Sequence, residues 1–187
     1  MSSPILTVAN QLTILRMALA PLLVVLIVSH EATWALVVFV VAGVTDLLDG
    51  LIARLGHQQT TLGAMMDPLA DKILLMSSYV ALTWTSGLQV RIPVWLTVIT
   101  LSRDAIILVT VAVITLTVGR RVFPPSLLGK LSTASQLLTA GVVILLNALS
   151  EGVGLARHLF WMTAVLTVAS ALHYVYLASV SRPEPEP

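Results

Sequence analysis

The sequence predicts an all-α membrane protein in which six transmembrane helices enclose a polar cavity open to the cytoplasm. Three observations predict it. Of 187 residues, 57% are hydrophobic, and only 10% are charged against roughly a quarter in a soluble domain. The apolar residues fall into six runs near the ~20 residues that a membrane helix needs. Four of the five aspartates lie together in one stretch, "DLLDGLIARLGHQQTTLGAMMDPLAD", between two of those runs.

The runs cover about residues 12–29, 32–55, 63–84, 92–118, 127–149 and 155–180. The connections between them are too short to hold a soluble domain. The expected organisation is one membrane domain over 1–180 and a disordered Pro/Glu tail over 181–187. The N-terminal "MSSPILTVANQ" has no positive region before its first apolar run, so no cleaved signal is expected. Without cysteine there is neither a disulfide framework nor thiolate chemistry, and a net charge of +1 is too small to call for nucleic acid.

The basic residues set the orientation. Arg54, Arg120, Arg121, Lys130 and Arg182 fall at one set of helix ends; Arg91 and Arg157 fall at the other; Arg16, Lys72 and Arg103 lie inside helices. The positive-inside rule then puts both termini and the aspartate stretch in the cytoplasm of an inner or plasma membrane. Trp34, Trp84, Trp95 and Trp161 fall near the opposite ends, as interfacial anchors do, and Tyr174 and Tyr176 approach the inner end of the last helix. His30, His57, His158 and His173 show no ligand spacing and read as interfacial.

An ionised group at membrane depth costs several kcal/mol unless it is paired, hydrated or metal-bound. Glu31, Glu151, Glu184 and Glu186 avoid that cost in loops and tail. The aspartates do not. Asp46 and Asp49 are three apart at the end of the second run; Asp67 and Asp71 are four apart at the start of the third. Each spacing puts both carboxylates on one helix face, and a short connection makes the two helices neighbours. Four carboxylates then converge and repel, which a cation relieves. All-oxygen donors suit Mg²⁺, Mn²⁺ or Ca²⁺, and four exceed the needs of one ion, so a two-metal site for phosphoryl transfer is expected. Gly50 and Ala53 lie within about 40° of Asp46 on its helix, and Gly63 precedes Asp67 by four, leaving room for a bulky ligand whose phosphates Arg54 can meet.

The stretch resembles the CDP-alcohol phosphatidyltransferase family, whose signature is D-x2-D-G-x2-A-R-x8-G-x3-D-x3-D. Asp46, Asp49, Gly50, Ala53, Arg54, Gly63, Asp67 and Asp71 meet every fixed position and spacing. The resemblance implies the family's six-helix fold and a homodimer. It also implies a reaction in which an alcohol attacks the β-phosphate of CDP-diacylglycerol and CMP leaves. By the same likeness, Asp46, Asp49, Asp67 and Asp71 hold two divalent cations, Mg or Mn, and Asp71 is also the general base. Asp49, Gly50, Ala53, Arg54 and Gly63 contact the cytidine nucleotide.

The acceptor alcohol is read from other stretches. "NQLTILRMALAP" and "MMDPLADKILL" are similar to both the glycerol 3-phosphate and the phosphatidylglycerol branches of the family. "IPVWLTVITLSRDAII", with its Ser-Arg-Asp, is closer to the phosphatidylglycerol branch, the cardiolipin synthases. "GKLSTASQ" has Ser132 where the glycerol 3-phosphate enzymes usually carry a second Lys before the Thr. A small dianion calls for several cationic donors, so the missing lysine tilts the expectation to phosphatidylglycerol, giving cardiolipin and CMP. Phosphatidylglycerophosphate synthesis from glycerol 3-phosphate is the alternative, with an inositol-type acceptor third. Arg103, Lys130, Arg16 and Thr133 are the expected contacts to the acceptor and its phosphate. The competing role for Arg103, an ion pair with Asp104, looks awkward because adjacent helical residues point about 100° apart. A cation transporter is the reading from another class. It fits poorly, because the acids cluster at one end and the Gly/Ala/Arg positions have no part in ion passage.

Overall fold

A computed structural model describes residues 8–55, 61–118, 126–150 and 152–180, with the side chains of 8–10, 47, 49–55, 61–68, 111–118 and 178–180 outside the description. It contains six helices, α1 (Val8–Val28), α2 (Ala32–Leu55), α3 (Thr61–Trp84), α4 (Val94–Val118), α5 (Leu127–Leu149) and α6 (Gly154–Val180). Among the described residues, three are long and apolar enough to cross a membrane: α1 over Gln11–Val28, α5 over Leu127–Leu149 and α6 over Gly154–Leu177. The expected tail over 181–187 lies outside the described residues, as do His57, Arg120, Arg121, Glu151, Arg182, Glu184 and Glu186.

Local chemistry sets the helix ends. After Val28 the chain closes with bonds from the His30 amide to the Ile27 carbonyl and from the Glu31 amide to the Leu26 carbonyl, the paired pattern of a Schellman cap. His30 takes the left-handed conformation of that cap at φ 60°, a place usually held by glycine. The Glu31 carbonyl already accepts the Ala35 amide, so α2 begins at once. Ser126 caps α5, its hydroxyl accepting the Gly129 amide at 3.0 Å and its carbonyl accepting that of Lys130. Pro93 fixes the chain just before α4, its carbonyl taking the Leu96 and Thr97 amides.

The chain divides into two compact units, Met1–Arg91 with Ala140–Val153, and Ile92–Thr139 with Gly154–Pro187. In the first, α1 packs against both α2 and α3. Thr13, Arg16, Ala20, Leu23 and Ile27 of α1 are all buried, a stripe at the i, i+3, i+7 spacing of a helix that contacts neighbours along one face. The second half of α5 joins this unit. There, the Asn147 amide clamps the chain before α4, its Oδ1 accepting the Val90 amide at 3.2 Å and its Nδ2 donating to the Val90 carbonyl at 2.8 Å.

In the second unit α4 packs against α6. Trp95 and Trp161 stack across that pair with ring centroids 5.1 Å apart. The four tryptophans are exposed, Trp34 and Trp84 in one unit and Trp95 and Trp161 in the other. Both units expose large apolar side chains and bury polar ones beside an apolar core. Val25, Leu108, Val165 and Leu172 are exposed, while Arg16, Thr13, Gln136, Thr139 and Thr163 are buried. An apolar exterior with hydrogen-bonded polar groups at the helix contacts is the pattern of helices that meet lipid. Buried hydroxyls close on their own helices, as Ser78 does on the Leu74 carbonyl and Thr83 on the Tyr79 carbonyl.

The Asn147 clamp gives a direct test. Asn147→Leu keeps the volume but orphans the Val90 amide and carbonyl, each a loss of about 1–3 kcal/mol. Thermal unfolding in detergent is expected to shift down by several degrees, with the helical signal before unfolding unchanged.

Candidate functional site

α1, α2 and α3 bring three charged side chains to one point of the first unit. Arg16 Nη1 lies 2.9 Å from Asp46 Oδ1 and also donates to Asp71 Oδ1. The Arg16 side chain is 1% exposed, whereas those of Asp46 and Asp71 are 42% and 46% exposed. The guanidinium is therefore the floor of the site and the carboxylates are its open side. Arg16 Nη1 thus bridges one oxygen of each carboxylate.

The expected four-carboxylate cluster is described in part. Asp49 follows Asp46 by three residues in α2, and Asp67 precedes Asp71 by four in α3. The side chains of Asp49 and Asp67, and those at Gly50, Ala53, Arg54 and Gly63, lie outside the described residues. Among the described residues no group of three His, Cys, Asp or Glu side chains converges. The donors that are described nevertheless suit a hard cation. Two half-exposed carboxylates from different helices reach one cationic nitrogen, so a positive charge sits well between them.

Arg103 belongs to the second unit and is 8% exposed. Its Nη1 donates to Asp104 Oδ1 at 2.7 Å and its Nη2 to Ser170 Oγ of α6 at 2.8 Å. The pair with Asp104 that helical angles made awkward does form. The reason is length: several rotatable bonds let the guanidinium cross the ~100° between neighbouring Cβ directions. Nη2 also lies 3.4 Å from where a Gly129 Cβ would stand, so Arg103 rests on the first turn of α5. Lys130 and Thr133 share that turn region and are exposed; the Thr133 hydroxyl donates to the Gly129 carbonyl at 3.2 Å.

Ser132 is fully buried rather than a cavity-lining position. Gln136 Nε2 donates to Ser132 Oγ and to Thr167 Oγ1, both at 3.2 Å. One helical turn on, the Thr139 and Thr163 hydroxyls are 2.7 Å apart, and Thr163 also donates to the Ser135 carbonyl. Ser132, Ser135, Gln136 and Thr139 with Thr163, Thr167 and Ser170 thus form a polar seam between α5 and α6. Sequence reasoning weighed Ser132 only as a missing lysine and missed the seam. Its signal was present, because 132, 135, 136 and 139 recur at i, i+3, i+4 and i+7.

Residues 6–169 match the CDP-alcohol phosphatidyltransferase family. A human protein named cardiolipin synthase (CMP-forming) is 35% identical over 187 residues, an alignment that covers 91% of this chain and 61% of the human protein. A Streptomyces coelicolor protein of the same name is 36% identical over 159 residues, covering 80% of this chain and 68% of the relative. A Mycobacterium tuberculosis protein named probable phosphatidylglycerophosphate synthase is 35% identical over 181 residues, covering 91% and 81%. The chain therefore spans about three-fifths of the length of its human relative.

The buried Arg103–Asp104 pair predicts a stability effect. Arg103→Met takes the guanidinium away from the buried Asp104 carboxylate, and breaking such a pair costs about 3–5 kcal/mol. Arg103→Met with Asp104→Leu is expected to recover most of that loss in thermal unfolding.

Proposed function

We propose that this chain, which belongs to the CDP-alcohol phosphatidyltransferase family, transfers a phosphatidyl group from CDP-diacylglycerol to phosphatidylglycerol, giving cardiolipin and CMP. The observation that carries the proposal is the meeting of Asp46 and Asp71 at one buried guanidinium, inside an eight-residue signature that is met in full. Relatives named cardiolipin synthase, about 35% identical over most of this chain, support the choice of product.

Asp46, Asp49, Asp67 and Asp71 would hold two divalent cations, Mg²⁺ or Mn²⁺. Bound there, the cations supply neutralisation of the pyrophosphate and stabilisation of the departing CMP. Asp71 takes the proton from the acceptor hydroxyl as its oxygen bonds to the β-phosphorus, and the bond from that phosphorus to the bridging oxygen breaks toward CMP. Gly50, Ala53 and Gly63 leave space for the cytidine nucleotide, and Arg54 meets its phosphates alongside Asp49. Arg103, Lys130 and Thr133 are the acceptor contacts. Arg16 is set apart from that group as part of the carboxylate centre, where its Nη1 bridges Asp46 and Asp71.

Phosphatidylglycerol is preferred to glycerol 3-phosphate on the name shared by the human and Streptomyces coelicolor relatives. Ser132, a hydroxyl buried against Gln136 and Thr167, stands where glycerol 3-phosphate enzymes usually carry a second lysine, and a lipid acceptor gains affinity through its acyl chains. Phosphatidylglycerophosphate synthesis is the second reading, favoured by the M. tuberculosis relative of that name. The lipid substrates suit six membrane-crossing helices with termini and site on the cytoplasmic side of the inner or plasma membrane, in a homodimer.

Purified protein supplied with CDP-diacylglycerol and Mg²⁺ is expected to release CMP with phosphatidylglycerol as acceptor and at least tenfold more slowly, by order of magnitude, with glycerol 3-phosphate. The reverse preference would establish the second reading. For Asp71→Asn the expected result is that Mn²⁺ still binds while CMP release falls by roughly 10²–10⁴-fold, the usual worth of a positioned base. Retained turnover would remove Asp71 as the base, and cation flux across vesicles without CMP release would favour a transporter.

A further inference from the structure

Arg16 occupies a place that an acceptor-binding residue would not. It belongs to the buried stripe of α1, between Thr13 and Ala20, on the face that packs against α2 and α3. At 1% exposure its side chain is further from the open side of the site than either carboxylate it holds. A charge buried in a helix contact is tolerated only when paired. Two of its partners come from opposite halves of the cluster: Asp46 from the pair on α2 and Asp71 from the pair on α3.

This arrangement addresses an electrostatic problem in the site. The four aspartates of the signature carry a formal charge of −4 on two helices, and without a cation their repulsion drives α2 and α3 apart. Divalent ions relieve the repulsion only while bound. A guanidinium anchored in α1 cannot leave. It is planar, always charged and able to hold two carboxylates at once, which an ammonium does less well.

We propose that Arg16 is a positioning residue, a tethered counter-cation that ties Asp46 to Asp71 and keeps the carboxylate centre assembled before metal arrives. The proposal rests on the reading of those aspartates as metal ligands, but the tie itself is measurable without metal.

The test is thermal unfolding of the purified full chain in chelator and in saturating Mn²⁺, with Mn²⁺ binding followed by electron paramagnetic resonance. Arg16→Met is expected to melt several degrees below the unaltered protein in chelator, less than a fully buried pair would lose because both carboxylates are half-exposed. Mn²⁺ is expected to restore at least about half of that loss, since it binds the native state alone. Arg16→Met with Asp46→Asn should lose less in chelator than Arg16→Met by itself, because the repulsion falls with the charge. If Arg16→Met does not fold, Arg16→Lys carries the same test, with a smaller drop and the same recovery by Mn²⁺. In steady state the loss should appear in kcat with the acceptor KM little changed.

An Arg16 variant that melts like the unaltered protein in chelator, and shows only a raised acceptor KM, would overturn the proposal and return Arg16 to the acceptor's phosphate. So would a loss that Mn²⁺ does not reduce in a variant that still binds it. If the unaltered protein binds no Mn²⁺ while Arg16→Met still melts low, the metal reading of the site fails and the Arg16 tie stands.

Discussion

A guanidinium without water must find carboxylates, and in this chain that requirement joins three helices. Arg16 is buried in the packing face of α1, and its partners Asp46 and Asp71 belong to α2 and α3. Apolar packing alone holds such helices weakly to one rotation, because lipid tails compete on equal terms with leucine. The rotation of α1 about its axis is fixed by where Arg16 must point, and α2 and α3 are fixed by where their aspartates must reach.

The second unit meets the same physical demand with neutral groups. Its α5–α6 contact is a seam of hydroxyls and one amide, in which Gln136 is shared by Ser132 and Thr167, and Thr139 faces Thr163. Each bond is modest, but each would otherwise leave a polar atom in an apolar medium. Ser132 is thereby tied into the fold as well as into the question of substrate choice. A residue cannot change from hydroxyl to ammonium there without disturbing Gln136 and Thr167.

Helix positions were legible because hydropathy and breakers act locally. α2 and α5 begin and end where their apolar runs do; α4 begins at Val94, just past Pro93. α1 starts at Val8, ahead of the expected residue 12, because Asn10 and Gln11 break the apolar pattern without breaking the helix. The carboxylate spacings were legible for the same reason, as i, i+3 and i, i+4 relations within one helix. The Arg16 tie was not, since a pairing across 55 residues leaves no trace in any local period. The Arg103–Asp104 pair was misjudged because an angle between Cβ directions says little about the far end of a long side chain. The α5–α6 seam was readable in the spacing of its hydroxyls, but such residues also close on their own helix, as Thr100 does on the Leu96 carbonyl.

In the proposed reaction a carboxylate centre, organised around Arg16, releases CMP with the help of divalent cations. The most direct measurement is CMP release from CDP-diacylglycerol by the purified chain with phosphatidylglycerol present, before and after chelation and again after Mg²⁺ or Mn²⁺ is restored. Release is expected to stop on chelation and to return with either ion. Release that continues unchanged through chelation would contradict the proposed reaction.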